Sequence, residues 1–71
     1  MRSLDKIAYS CGYIDGREFA CCDVTTRDDI SLKLREIGNE VKQIEDNEVC
    51  RLKYMLGYID GVMKVVANGK A

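Results

Sequence analysis

The pentapeptide Gly-Tyr-Ile-Asp-Gly occurs twice in this chain, at residues 12–16 and again at 57–61. The likeness extends backwards at the same offset of 45 residues, where Leu4, Lys6, Ile7 and Tyr9 correspond to Val49, Arg51, Leu52 and Tyr54. A shared packing demand alone would not require the same tyrosine and the same aspartate. The pattern therefore reads as one segment used twice.

Asp-Gly between apolar residues is a hairpin signal, but periodicity favours helix. In the second copy Val49, Leu52, Leu56, Ile59, Met63 and Val66 follow at spacings of 3, 4, 3, 4 and 3. This is the seam of a coiled coil, with Lys53, Gly57, Asp60 and Lys64 forming a polar or small face beside it. Strand alternation fails, because Met55, Leu56, Tyr58 and Ile59 would put apolar groups on both faces. The first copy follows through Leu4, Ile7, Cys11 and Ile14.

Between the copies, Ile30, Leu34, Ile37, Val41 and Ile44 define another seam. Thr26 and Asp29 resemble a capping box with Asp in place of the usual Glu or Gln. Asp28 and Asp29 suit the positive end of the helix dipole, and Asp29 with Lys33 is spaced for an i,i+4 pair. Asp46 or Asn47 is expected to cap the last helix, and Asn68-Gly69 to end it. The expected fold is all-α, a small two- or three-helix bundle. Its single domain spans residues 1–71, with helices over 3–20, 27–45 and 47–67. The chain has no proline, so a bend in one long helix, giving a helical hairpin, is the alternative at the second joint.

Glycine inside a helix costs about 1 kcal/mol relative to alanine, so Gly12, Gly16, Gly57 and Gly61 together cost on the order of 4 kcal/mol. Glycines four apart share a helix face and let another backbone approach. In the first copy the small ridge runs Ala8, Gly12, Gly16, Ala20. These six residues are the expected close-packing surface, either between the two copies or with another subunit; ordinary core glycines are the plainer reading. A core this small supplies few kcal/mol, which favours a dimer or larger assembly.

Tyr9 and Tyr13, like Tyr54 and Tyr58, lie one turn apart. Tyrosine suits interfaces because it buries a ring while its hydroxyl keeps a partner. Asp15 and Asp60 are expected to be solvated, to hold a tyrosine hydroxyl, or to meet a partner's arginine. With Arg17, Arg51 and Lys53 these residues form the candidate binding set.

Charge is balanced, eleven basic side chains against twelve acidic, without the basic cluster that nucleic-acid binding draws on. No apolar run reaches the ~20 residues of a membrane span, and the opening residues lack a signal peptide's apolar stretch, so a cytoplasmic location is expected. There the thiols of Cys11, Cys21, Cys22 and Cys50 stay reduced; an oxidising compartment would allow a disulfide. Their spacing does not suit zinc, and Cys11, on the seam, reads as a small buried hydrophobe. With no histidine, the commonest general base is missing. No enzyme, metal or cofactor is expected.

At Leu56-Gly57-Tyr58-Ile59-Asp60-Gly61-Val62 the chain resembles the Rap-type immunity proteins of type VI secretion, whose pattern includes a Gly-Tyr-Ile-x-Gly helix. The resemblance covers under a fifth of the chain. It implies a small helical protein that binds and neutralises a toxic effector, typically as a dimer. Ser10 and Met55 stand where that family has a cysteine, two residues before the first glycine. The expected function is a non-catalytic binder acting stoichiometrically on a partner protein, as an inhibitor, immunity or phage anti-defence factor. The alternative is a homo-oligomeric sponge for a small signalling molecule such as a nucleotide, with the tyrosines stacking on bases and Lys6, Arg17, Arg51 or Lys53 meeting phosphates.

Overall fold

A computed structural model of the chain describes residues 3–45 and 48–69. It consists of α1 (Ser3–Cys21), α2 (Arg27–Lys42) and α3 (Val49–Ala67), with no strand among the described residues.

The start of α2 is fixed by its cap. Thr26 is extended at φ −92° and ψ 170°. Its hydroxyl accepts from the Asp29 amide at 3.1 Å, while its own amide donates to the Asp29 carboxylate at 3.0 Å. Aspartate thus closes the reciprocal box that Glu or Gln more often completes. Its carboxylate is not an ion-pair partner for Lys33, whose ammonium lies over the Phe19 and Tyr58 rings at 5.9 and 5.7 Å. The helix stops at Lys42, short of the expected residue 45, as the Gln43 amide turns to the carbonyls of Glu40 and Val41. α3 opens at Val49 and not at 47, after Glu48, which makes no side-chain capping bond. A separate third helix replaces the alternative of one bent helix. The expected caps Asp46 and Asn47 lie outside the described residues. At the far end the Asn68 amide meets the last-turn carbonyls, and Gly69 takes φ +103°, a conformation that favours glycine.

α1 and α3 run parallel. Gly12 abuts Tyr54 and Gly16 abuts Tyr58, so both chains advance together along the contact. α2 provides the return path, roughly 24 Å at 1.5 Å per residue. It runs back along α3, with Lys33 beside Tyr58 and Glu40 beside Arg51. The core forms where α2 meets the pair. Ala20, Ile30, Ile37, Met55, Tyr58 and Val62 are buried, and Phe19, Leu34, Val41, Ile44 and Ile59 pack around them.

The expected seams of the two repeat helices are therefore displaced. Leu4, Ile7 and Ile14 are 68%, 57% and 53% exposed, and Leu56, Met63 and Val66 also face outward. Cys11, expected to be buried, is exposed. The buried residues of α3 are Met55, Gly57, Tyr58, Gly61 and Val62. The glycine face, not the most apolar face, meets the neighbouring helix, and the coiled-coil stripe on α1 is turned to the opposite side.

Removing the Thr26 hydroxyl leaves the Asp29 amide without its cap. Thr26→Ala is expected to lower stability by about 1 kcal/mol, read as a lower urea midpoint at unchanged slope.

Candidate functional site

Four glycines bring α1 and α3 into backbone contact. A Cβ added at Gly12 would lie closer than 3.0 Å to the Tyr54 carbonyl oxygen, and one at Gly16 would meet that of Tyr58 equally closely. A Cβ at Gly57 would meet the Tyr9 oxygen and one at Gly61 that of Tyr13, again inside 3.0 Å. Each glycine's Cα–H bond on that side therefore points at a carbonyl across the crossing. Such contacts contribute roughly 0.5–1 kcal/mol each, which is about the helix-propensity cost of each glycine.

Every one of these contacts has a mate 45 residues away. Gly12 on Tyr54 maps to Gly57 on Tyr9, and Gly16 on Tyr58 maps to Gly61 on Tyr13. The Tyr9 hydroxyl donates to the Asp60 carboxylate, and the Tyr54 hydroxyl to that of Asp15. The ring pairs Tyr9–Tyr13 and Tyr54–Tyr58 sit at 6.5 and 6.3 Å between centroids. At the N-terminal ends Asp5 and Cys50, themselves 45 apart, face each other. The Cys50 thiol donates to the Asp5 carboxylate at 3.3 Å, and Asp5 is buried. The two repeat helices are thus related by a local two-fold axis running between them.

The Tyr–Asp pairs change how the phenols titrate. The hydrogen bond to Asp15, then burial, pushes the Tyr54 hydroxyl up to about 12. The hydrogen bond to Asp60, then burial, raises Tyr9 as well. Tyr58 is raised chiefly by burial and next by the charge of Asp15. In each pair the neutral phenol is the form that holds the carboxylate.

The expected binding residues do not converge on one site. Asp15 and Asp60 hold tyrosine hydroxyls, on opposite sides of the crossing. Arg51 reaches Glu40 at 3.4 Å and Glu48 at 3.6 Å. Lys53 and Ala8 are half-buried, and Ala20 lies in the core beneath α2. Tyr58 is buried, whereas Tyr13 is half-buried with the Arg17 guanidinium 5.9 Å above its ring. Tyr13 and Arg17 border an open cleft of about 460 Å³ between the C-terminal halves of α1 and α3, completed by Cys21, Lys64, Val65, Asn68 and Gly69. Lys64, Val65 and Asn68 were not among the residues expected to bind. Their signal lay in the offset of 45, which pairs them with Phe19, Ala20 and Asp23.

Among the described residues no group of three or more metal-ligating side chains occurs, and no helix is long and apolar enough to cross a membrane. Comparison with protein-family models, with curated proteins and with solved structures finds no match.

Gly12→Ala and Gly57→Ala are expected to prevent native folding or lower the melting temperature steeply, since each methyl meets rigid backbone. Gly38→Ala in α2 meets nothing within 4 Å and is expected to stabilise by about 0.4–1 kcal/mol; thermal melts of the three variants separate close contact from propensity. A phenol raised in the folded state stabilises fully below its unfolded value near 10 and loses that contribution as pH rises toward about 12. Stability is therefore expected to fall across that interval, and Tyr54→Phe to flatten the fall, in denaturant titrations at stepped pH.

Proposed function

We propose that this chain is a small non-catalytic binding protein that acts stoichiometrically on a partner protein, itself a dimer or larger assembly. The observation that carries this reading is the stripe Leu4, Ile7, Cys11 and Ile14, exposed along the back of a helix whose other face is locked by glycines. Contiguous apolar surface of this kind is characteristic of interaction sites, and its spacing of 3, 4 and 3 is that of a seam made for another helix. Leu56, Met63 and Val66 extend the same character on α3. The resemblance to the Rap-type immunity proteins and the balanced charge support the same reading. The local two-fold supports descent of both helices from one segment used twice.

A nucleotide sponge draws less support. Tyr9 and Tyr54 have their hydroxyls engaged by aspartates and Tyr58 is buried. Of the four rings proposed to stack on bases, Tyr13 is the one that borders the open cleft.

The test is native mass spectrometry of protein purified gently without reductant, followed by sedimentation of Ile7→Glu and Ile14→Glu. The wild type is expected as a dimer or larger, bare or with a stoichiometric partner chain. Each variant is expected to fall to a smaller species with unchanged helical circular dichroism, because neither side chain is in the core. A monomeric wild type carrying a nucleotide-sized adduct would overturn the proposal.

A further inference from the structure

We infer that the open groove between α1 and α3 receives an amphipathic helix of the partner protein, seated as α2 is seated in the opposite groove and bearing acidic side chains two turns apart. The inference rests on the protein-binding reading and adds the chemistry of what is bound.

The two-fold relation between α1 and α3 creates two equivalent grooves, and α2 fills one of them. There Ile30 and Ile37 are buried with Met55, Tyr58 and Val62, Lys33 lies over the rings of Phe19 and Tyr58, and Glu40 pairs with Arg51. At the offset of 45 the other groove has the same backbone frame and different chemistry. Tyr13 replaces Tyr58 and Val65 replaces Ala20, so part of the apolar lining persists, while Ser10 replaces Met55. Arg17 stands for the fully buried Val62, Lys64 for Phe19 and Lys6 for Arg51, so the groove as a whole becomes basic. None of these three cations forms an ion pair with a described residue.

A helix seated here as α2 is seated opposite would bring its Lys33-like position to Lys64 and Tyr13, and its Glu40-like position to Lys6. The second position is already acidic in α2. The first is a lysine, which would be pressed against Lys64. The chain's own α2 is thus complementary to one groove and mismatched to the other by a single charge, and an acid at that position removes the mismatch. Charge complementarity of this kind selects the partner and its register. A free phosphate would face the negative C-terminal ends of α1 and α3 with no apolar area to offset them, whereas a helix brings its own apolar edge to Tyr13 and Val65.

The probe is a labelled synthetic peptide of this chain's residues 26–45 carrying Lys33→Glu, titrated into the full protein by fluorescence anisotropy with chemical-shift mapping. Saturable binding is expected, with shifts at Tyr13, Arg17 and Val65, weakening as salt is raised. The unsubstituted peptide should bind about tenfold more weakly, a difference of ~1.4 kcal/mol. Lys64→Glu in the protein should reverse that preference, a gain that a misfolded variant could not produce. Equal binding of both peptides, shifts at Met55 and Val62 from displaced α2, or shifts at Arg17 and Lys64 with ATP alone would each overturn the inference. A stoichiometric partner whose capture ignores Lys64→Glu would leave the protein-binding reading standing and remove this groove from it. Charge-selective peptide binding with no partner captured would do the reverse.

Discussion

Everything in this molecule depends on the approach of two helix backbones across four glycines. Gly12, Gly16, Gly57 and Gly61 each face a carbonyl oxygen where a methyl group would have to sit. That contact sets α1 and α3 parallel, fixes which faces look inward, and obliges α2 to run back between their ends. It also explains why α1 and α3 devote four interior positions to glycine. The conformational cost is offset by contacts that no larger residue permits.

Around that crossing the tyrosines and aspartates act as a frame. The Tyr9–Asp60 and Tyr54–Asp15 hydrogen bonds flank the glycine contact on its two sides and oppose rotation of one helix against the other. Residues that invited a reading as a binding set are thereby largely occupied in holding the pair together. The side chains left facing outward lie elsewhere, on the exposed stripe of α1 and in the open groove.

The asymmetry of the chain is as informative as its symmetry. Two related helices make two related grooves, but only one connecting helix fills a groove. The side with Met55, Val62 and Phe19 is closed by α2 and becomes the core. The side with Ser10, Arg17 and Lys64 has polar residues at the corresponding positions, which would be costly to bury without partners. Divergence between the copies at these positions, not at the shared pentapeptide, separates the groove that α2 closes from the groove it leaves open.

The helices were legible in the local pattern of residues. Spacing of apolar residues, the Thr26–Asp29 cap and the Asn68-Gly69 ending placed the elements to within a few residues, because these are local effects within one or two turns. That pattern also marked Gly12, Gly16, Gly57 and Gly61 as a close-packing surface, since glycine inside a helix has few other uses. Which face of each helix lies inside followed from the crossing of α1 and α3. The stripe through Leu4, Ile7 and Ile14 is more apolar than the glycine face, and periodicity ranks faces by apolarity. Backbone proximity is ranked by the absence of a side chain, which a hydrophobic count does not register. The pairing of Tyr9 with Asp60, and the cleft lined by Lys64, Val65 and Asn68, join residues on different helices, so they became visible only when the parallel crossing brought the two copies together.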